Sequence, residues 1–189
     1  MTGVSQPSPT VAEMHRDVAR ALSEAGIADA QAEARRLLGA ALGWSTATLI
    51  ARSRDPLSQH DAARIDALLA RRRRHEPLSR ILGEREFYGR MFRLGPATLD
   101  PRPDSETLIE TTLALLREDG RTGPIRILDI GTGTGCLLLT LLLELPQASG
   151  VGTDVSADAI AVARANASQL GGAERATFVE TDIAADVTG

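Results

Sequence analysis

Apolar residues recur at helical spacing four times in the first 75 positions, which predicts four short helices. Their expected first residues carry capping signals: Thr10 with Glu13 forms a capping box, and Asp29 and Ser58 are favourable N-cap residues. Short connections between such helices are typical of a helical bundle, to which we assign residues 1–80. The predicted helices cover residues 10–26, 29–43, 45–52 and 58–74.

The pattern changes after residue 80. Aromatic and apolar residues flank Gly89-Arg90, which predicts a β-hairpin in a linker over 81–100. A helix is expected to follow, capped by Asp104-Ser105 and ending near Leu116.

The remaining residues alternate between strand and helix patterns. Strands are predicted at 125–130, 150–154 and 176–180, and helices at 135–145 and 157–169. A βαβαβ order implies a parallel sheet with right-handed crossovers. The fold class is therefore α/β, with a Rossmann-like domain over 101–189 that is incomplete at its carboxyl end and follows a small all-α bundle and a β-hairpin.

A glycine-rich turn joins the first strand of this domain to its first helix. Glycine allows a sharp turn and lets a ligand approach the backbone, which a Cβ would obstruct. A dinucleotide site has the pattern G-x-G-x-x-G, but Cys136 stands here where that pattern has its last glycine. The turn therefore favours a cofactor with an amino-acid tail and no phosphate. The turn has the pattern G-x-G-x-G, formed by Gly131, Thr132, Gly133, Thr134 and Gly135.

Two acidic residues lie where the next two strands end. Asp154 closes the second strand, where a carboxylate can accept both hydroxyl groups of an adenosine ribose. Asp182 follows the third strand, where it would meet the adenine amino group. The carboxyl ends of parallel strands share one edge of a sheet, so these residues should converge with the turn on one crevice. They predict S-adenosyl-L-methionine as cofactor; the alternative is a plain tight turn beside solvated acids.

Composition narrows the class of protein. The chain is 43% hydrophobic and 24% charged, as in globular proteins, and no apolar run reaches the ~20 residues that cross a bilayer. Its net charge of −4 argues against general nucleic-acid binding. One cysteine excludes a multi-cysteine metal site, and the three histidines lack metal-ligand spacing. These features predict a cytoplasmic protein without a metal.

The chain resembles the HemK-type peptide chain release factor glutamine methyltransferases over essentially its whole length. Beyond the helical segment and the glycine turn, the resemblance rests on Glu-Phe-Tyr-Gly at 86–89 and Pro-Arg-Pro-Asp-Ser-Glu at 101–106. It implies methyl transfer from S-adenosyl-L-methionine to the side-chain amide of the glutamine in a Gly-Gly-Gln motif of release factors. The family usually has an aliphatic residue at Asp100 and threonine at Ser105.

The resemblance also implies roles for particular residues. Arg102 and Glu106 would lie on the substrate side, although a helix start stabilised by an acid in its first turn explains them equally well. Release factors are the implied partners, and nucleic acid would be met only through the ribosome. The implied cofactor-binding residues are Gly131, Thr132, Gly133, Thr134, Gly135, Asp154, Val155, Asp182 and Ile183.

The chemistry of that family is placed in an Asn-Pro-Pro-Tyr segment, which orients the substrate amide because an amide nitrogen is a poor nucleophile. The 189 residues contain no such sequence, so we predict no catalytic residue and expect a fragment. The strand at 125–130 would then keep an unpaired edge that invites aggregation. Two alternatives stay open: a catalytically silent module that binds release factors, and a methyltransferase acting on RNA or a small molecule.

Three further features have a functional and a structural interpretation. The run Arg71–Arg74 could contact ribosomal RNA or an acidic face of a release factor, or it could complement the dipole at a helix end. Cys136 is expected to be a small helix residue rather than a nucleophile. Trp44 is expected to pack between helices of the bundle.

Overall fold

The computed structural model describes residues 8–120 and 123–183. The chain divides into two compact units, Met1–Leu82 and Gly83–Gly189. Each unit has its own cluster of buried apolar side chains. None of the described helices is long and apolar enough to span a membrane.

The first unit is helical. All four predicted helices are present, and a fifth follows Pro77; it has only five residues, too few for a periodic signal in the sequence. Leu22, Leu37, Leu38 and Ile65 are fully buried in its core. The helices are α1 (Val11–Glu24), α2 (Ala30–Leu42), α3 (Thr46–Ala51), α4 (Gln59–Arg73) and α5 (Leu78–Leu82).

Hydrogen bonds at the helix starts follow the sequence in most cases. Glu13 Oε2 accepts the Thr10 N–H at 2.8 Å and Thr10 Oγ1 accepts the Glu13 N–H at 3.3 Å, which is the predicted capping box. Ser58 Oγ accepts the Asp61 N–H at 3.0 Å. The expectation for Asp29 is wrong in one respect: it stands at the N-cap of α2, but its side chain makes no capping hydrogen bond there.

The arginines at the end of α4 are used partly inside this unit. The Arg72 guanidinium donates two hydrogen bonds to the Glu33 carboxylate, at 2.6 and 3.1 Å, and a third to the Glu76 carbonyl. Arg71 Nε donates to Glu76 at 2.9 Å. Two arginines of the run Arg71–Arg74 therefore have acidic partners within this unit, and a contact of the run with RNA or a release factor stays a prediction.

The second unit begins with the hairpin. Strands β1 (Glu84–Phe87) and β2 (Arg90–Arg93) pair antiparallel. Helix α6 (Asp104–Glu118) follows, and here the predicted cap is wrong: Pro103 stands at the N-cap without a side-chain hydrogen bond. Asp104 and Ser105 lie inside the helix, because Pro103 already has helical backbone angles (φ −54°, ψ −38°), which proline favours at the first position of a helix.

The rest of this unit is the predicted βαβαβ segment, which confirms the fold class. The described sheet is parallel in the order β3-β4-β5. Among the described strands β3 stands at one end, and two of its side chains, Leu128 and Ile130, are 47% and 53% exposed. The elements are β3 (Arg126–Ile130), α7 (Cys136–Glu144), β4 (Ser149–Asp154), α8 (Ala157–Leu170) and β5 (Ala176–Glu180).

Candidate functional site

The turn between β3 and α7 is built from glycines in the left-handed region. Gly131, Gly133 and Gly135 have φ values of 74°, 55° and 78°, which cost a residue with a Cβ about 1–2 kcal/mol. A Cβ at Gly135 would lie 3.4 Å from both Ala163 Cβ and Phe178 Cε1, so this glycine also lets the turn pack closely on the core. A Cβ at Gly131 would meet no atom within 4 Å. The turn therefore leaves its backbone accessible to a ligand at its first glycine.

Thr153, the last residue but one of β4, fixes this turn. Its carbonyl accepts the N–H groups of Gly131 and Thr132, both at 2.8 Å. Its buried hydroxyl donates to the Ile183 carbonyl at 2.6 Å, beyond the end of β5. One residue thus ties together the loops after β3 and β5, which the strand order predicts should converge.

Asp154 lies between the same two loops. Its Oδ2 accepts the Gly133 N–H and its Oδ1 accepts the Ser156 N–H, both at 3.0 Å. Its carbonyl accepts the Thr181 N–H at 3.0 Å. A carboxylate offers roughly four acceptor positions, so two positions remain for ligand hydroxyl groups. Asp154 therefore supports the turn and can still accept a ribose.

Asp129 supports the turn from β3. Its Oδ2 accepts the Thr132 hydroxyl at 2.7 Å. Burial raises the pKa of this carboxyl group above its ordinary value, while hydrogen bonds from Thr132 and the Leu138 N–H act in the opposite direction. Gly135, at the N-cap of α7, has no side chain to cap that helix. Asp129 therefore supports the turn through its hydrogen bond with Thr132.

Two exposed apolar side chains follow the ends of β4 and β5. Val155 is 68% exposed and Ile183 is 64% exposed. Ile183 has a φ of 59°, which is rare for a β-branched residue and is typical of functional loops. Between Thr181 and Ile183, the Asp182 side chain is exposed. These side chains place apolar surface and a carboxylate beside the strand ends, and their contact with an adenine stays a prediction.

The proposed substrate-side residues lie at the start of α6. Glu106 Oε1 accepts the Tyr88 N–H at 2.9 Å, in the hairpin turn where Tyr88 has a φ of 50°. Arg102 is exposed. Glu106 therefore has a structural partner within the unit, and a role toward a substrate stays a prediction for both residues.

Comparison with known proteins matches both parts of the chain. Residues 13–83 match the PrmC N-terminal domain and residues 122–188 match a methyltransferase domain. A release factor glutamine methyltransferase of Bradyrhizobium diazoefficiens is 46% identical over 98% of this chain and 63% of its own length. That of Rhodospirillum rubrum is 44% identical over 89% of this chain and 50% of its own length.

The chain is homologous to the release factor glutamine methyltransferases. The resemblance stated above is thereby confirmed, and the methyltransferase domain indicates S-adenosyl-L-methionine as cofactor, as predicted. The chain spans 63% of the length of the Bradyrhizobium relative. Among solved structures, a methyltransferase of Geobacter sulfurreducens in complex with S-adenosyl-L-homocysteine is 32% identical over 47% of this chain and 32% of its own, with a TM-score of 0.37.

Two residues that hold the glycine turn, Thr153 and Asn166, are not among the site residues predicted from the sequence. Asn166 is fully buried and donates to the Thr134 carbonyl at 2.9 Å. A signal for it exists in the sequence: Asn166 occupies a core position of α8, in register with the buried Ala159 and Ala163. A polar residue on an apolar helix face needs a buried partner, and only the fold shows which one.

Metal and thiol chemistry receive no support within residues 8–120 and 123–183. No group of three or more metal-binding side chains is found there. Burial raises the pKa of the Cys136 thiol, with Thr134 and backbone hydrogen bonds opposing the shift. A half-buried thiol with a raised pKa is a poor nucleophile, which agrees with the structural interpretation of this cysteine.

Proposed function

We propose that this chain binds S-adenosyl-L-methionine and a peptide chain release factor, in a cytoplasmic protein that methylates the glutamine side-chain amide of the Gly-Gly-Gln motif. The observation that carries the proposal is 46% identity, across 98% of the chain, to a release factor glutamine methyltransferase. Residues 1–80 would recognise the release factor, 81–100 would link the domains, and 101–189 would hold the cofactor. Nucleic acid would be met only through the ribosome.

The residues around the turn fit the cofactor. The backbone at Gly131 and Gly133 would admit its amino-acid tail, since a Cβ there would meet no atom closer than 4.0 Å. The remaining acceptor positions of Asp154 would bind the ribose hydroxyls, in hydrogen bonds strengthened by charge. Val155 and Ile183 would contact the adenine, with Asp182 accepting from its amino group.

When bound, S-adenosyl-L-methionine supplies an electrophilic methyl group on a sulfonium. The part of this chain is to hold that group in a fixed position, and orientation of reactants supplies up to ~7–11 kcal/mol of a barrier. No Asn-Pro-Pro-Tyr sequence occurs in the 189 residues, so no catalytic residue is assigned among them. Arg102 and Glu106 are proposed to face the substrate.

Titration calorimetry with S-adenosyl-L-homocysteine tests the cofactor site. We expect the wild type to bind, and Asp154→Ala to lose about tenfold or more in affinity, because a charge-assisted hydrogen bond contributes about 1.5–3 kcal/mol. Asp158→Ala is the control, since it removes an exposed acid four residues away. Absence of wild-type binding, or unchanged affinity in Asp154→Ala, contradicts the assignment.

Binding to a purified bacterial release factor, compared with total RNA, tests the partner. We expect saturable binding to the release factor and none to RNA at physiological salt, because the chain carries a net charge of −4. Binding to RNA alone would favour the alternative of an RNA methyltransferase.

A further inference from the structure

Asn166 is a completely buried asparagine on helix α8. It lies among the apolar residues Ile160, Ala163 and Ala167. A buried amide is costly unless its donors and acceptor are paired. The hydrogen-bond partners of Asn166 therefore indicate its role in the fold.

All partners of Asn166 are backbone groups, in two separate elements. Its Oδ1 accepts the Arg93 N–H at 2.8 Å, and its Nδ2 donates to the Arg93 carbonyl at 3.1 Å. The same Nδ2 donates to the Thr134 carbonyl at 2.9 Å. The side chain thus pairs with strand β2 as a neighbouring strand residue would, and its second N–H holds the glycine turn.

This arrangement requires an amide. One acceptor and two donors on a planar group satisfy three backbone partners at once, whereas aspartate lacks the donors and leucine lacks both. Thr134 lies inside the G-x-G-x-G turn, between Gly133 and Gly135. The side chain of Asn166 consequently links the turn directly to β2.

We infer that Asn166 is a positioning residue for the cofactor: it fixes the glycine turn to the hairpin and so sets the backbone geometry that the ligand meets. The inference rests on the proposed cofactor site. Loss of the amide would leave the Thr134 carbonyl without its partner and free the turn to shift, which weakens binding without removing any group that touches the ligand.

Asn166→Ala is the test variant, and two variants are matched controls. Gln169→Ala removes another α8 side chain that donates to the hairpin, to the Met91 carbonyl at 3.4 Å, but leaves the turn untouched. Ile109→Ala removes a fully buried side chain of α6, so it lowers stability without removing a contact of the turn. Asn166→Ser keeps one donor and replaces the test variant if Asn166→Ala does not fold.

Affinity for S-adenosyl-L-homocysteine is the first measurement, made where circular dichroism shows each variant folded. We expect Asn166→Ala to lose about tenfold (about 1.4 kcal/mol), and both controls to stay within about twofold of wild type. An affinity of Asn166→Ala within that range, or an equal loss in Ile109→Ala, overturns the inference.

Hydrogen exchange of the Gly135 amide, which donates to the Thr132 carbonyl at 2.8 Å, is the second measurement and needs no ligand. Faster exchange confined to the turn in Asn166→Ala supports the inference, and a uniform increase across the unit, as in Ile109→Ala, overturns it. If the wild type binds no S-adenosyl-L-homocysteine, the proposed function fails and the exchange result alone decides the role of Asn166.

Discussion

The two units of the chain use their polar residues in opposite ways. In Met1–Leu82, polar side chains close helix ends and pair with each other, as in the Thr10–Glu13 box and the Arg72–Glu33 pair. In Gly83–Gly189, they gather at the carboxyl ends of the strands and support a turn whose glycines are in the left-handed region. The first arrangement stabilises the fold, whereas the second lowers stability in order to form the candidate site.

Exposed apolar surface follows the same division. Of the eight large hydrophobic side chains that are exposed among the described residues, only Ile50 lies in the helical unit. Three of the others, Ile130, Val155 and Ile183, lie at or just beyond strand ends. Ile183 also has a left-handed φ of 59°, and residues with such backbone conformations cluster at functional sites. Exposed large apolar side chains are therefore concentrated in the second unit, and three of them lie beside the candidate site.

The largest effect is expected at Gly135. Gly135→Ala combines a left-handed φ of 78° with contacts of 3.2–3.4 Å to core side chains, and should cost about 3 kcal/mol. Urea-dependent labelling of Cys136, the one cysteine in the chain, reports on this unit. Fluorescence of Trp44, the one tryptophan, reports on the helical unit and should not change.

Gly171→Ala is the matched control for Gly135. Its φ is 81°, but a Cβ there would meet no atom within 4 Å, so the cost should be only the backbone term of about 1–2 kcal/mol. Equal losses in the two variants would mean that the turn is not packed tightly on the core.

A smaller effect is expected at Arg72 in the helical unit. Arg72→Ala leaves the half-buried Glu33 carboxylate without its partner, since the two side chains are only 14% and 18% exposed. The loss should be about 2 kcal/mol by Trp44 fluorescence in urea. Arg73→Ala, the exposed neighbour, should change stability by less than about 0.5 kcal/mol. An equal response of both would contradict the structural interpretation of Arg72.

The sequence predicts features whose partners are close along the chain. The Thr10–Glu13 box, the glycine turn and the alternation of strands and helices are local patterns, and the structure contains all of them. Contacts such as Asn166 with Arg93, 73 residues apart, and Glu106 with Tyr88 depend on the tertiary fold. A buried asparagine can be found from its position on α8, but its partners cannot.

The pH dependence of stability should differ in sign between the units. The pKa of Asp129 is raised, so this carboxyl group contributes most to the free energy of unfolding below its ordinary pKa of 3.8. That contribution is lost as the pH rises through the raised pKa. The pKa values of Glu13 and Glu76 are lowered, by hydrogen bonds from Thr10 and Arg71, so their contributions are present above 4.5 and lost as pH falls.

Asp129→Asn isolates this effect. The variant should remove the loss of stability with rising pH that Cys136 labelling reports, because an amide does not ionise and its oxygen can still accept the Thr132 hydroxyl. Asp158→Asn, at an exposed acid of the same unit, should leave the slope unchanged. An unaltered slope in Asp129→Asn would show that burial of this carboxyl does not govern the pH response.

The smallest effect is expected at Arg52, which tests whether exposed contacts matter in the helical unit. Its guanidinium lies 4.5 Å from the centre of the half-buried Trp44 ring and pairs with Asp55 at 2.8 Å. Both charged side chains are about half exposed, at 53% and 46%, so solvent screens the pair and Arg52→Ala should cost about 0.5–1 kcal/mol. Trp44 emission should shift while the urea midpoint moves little, and Arg54→Ala, another exposed arginine, should alter neither. A loss as large as that of Arg72→Ala would mean that exposed contacts stabilise this unit as much as half-buried ones do.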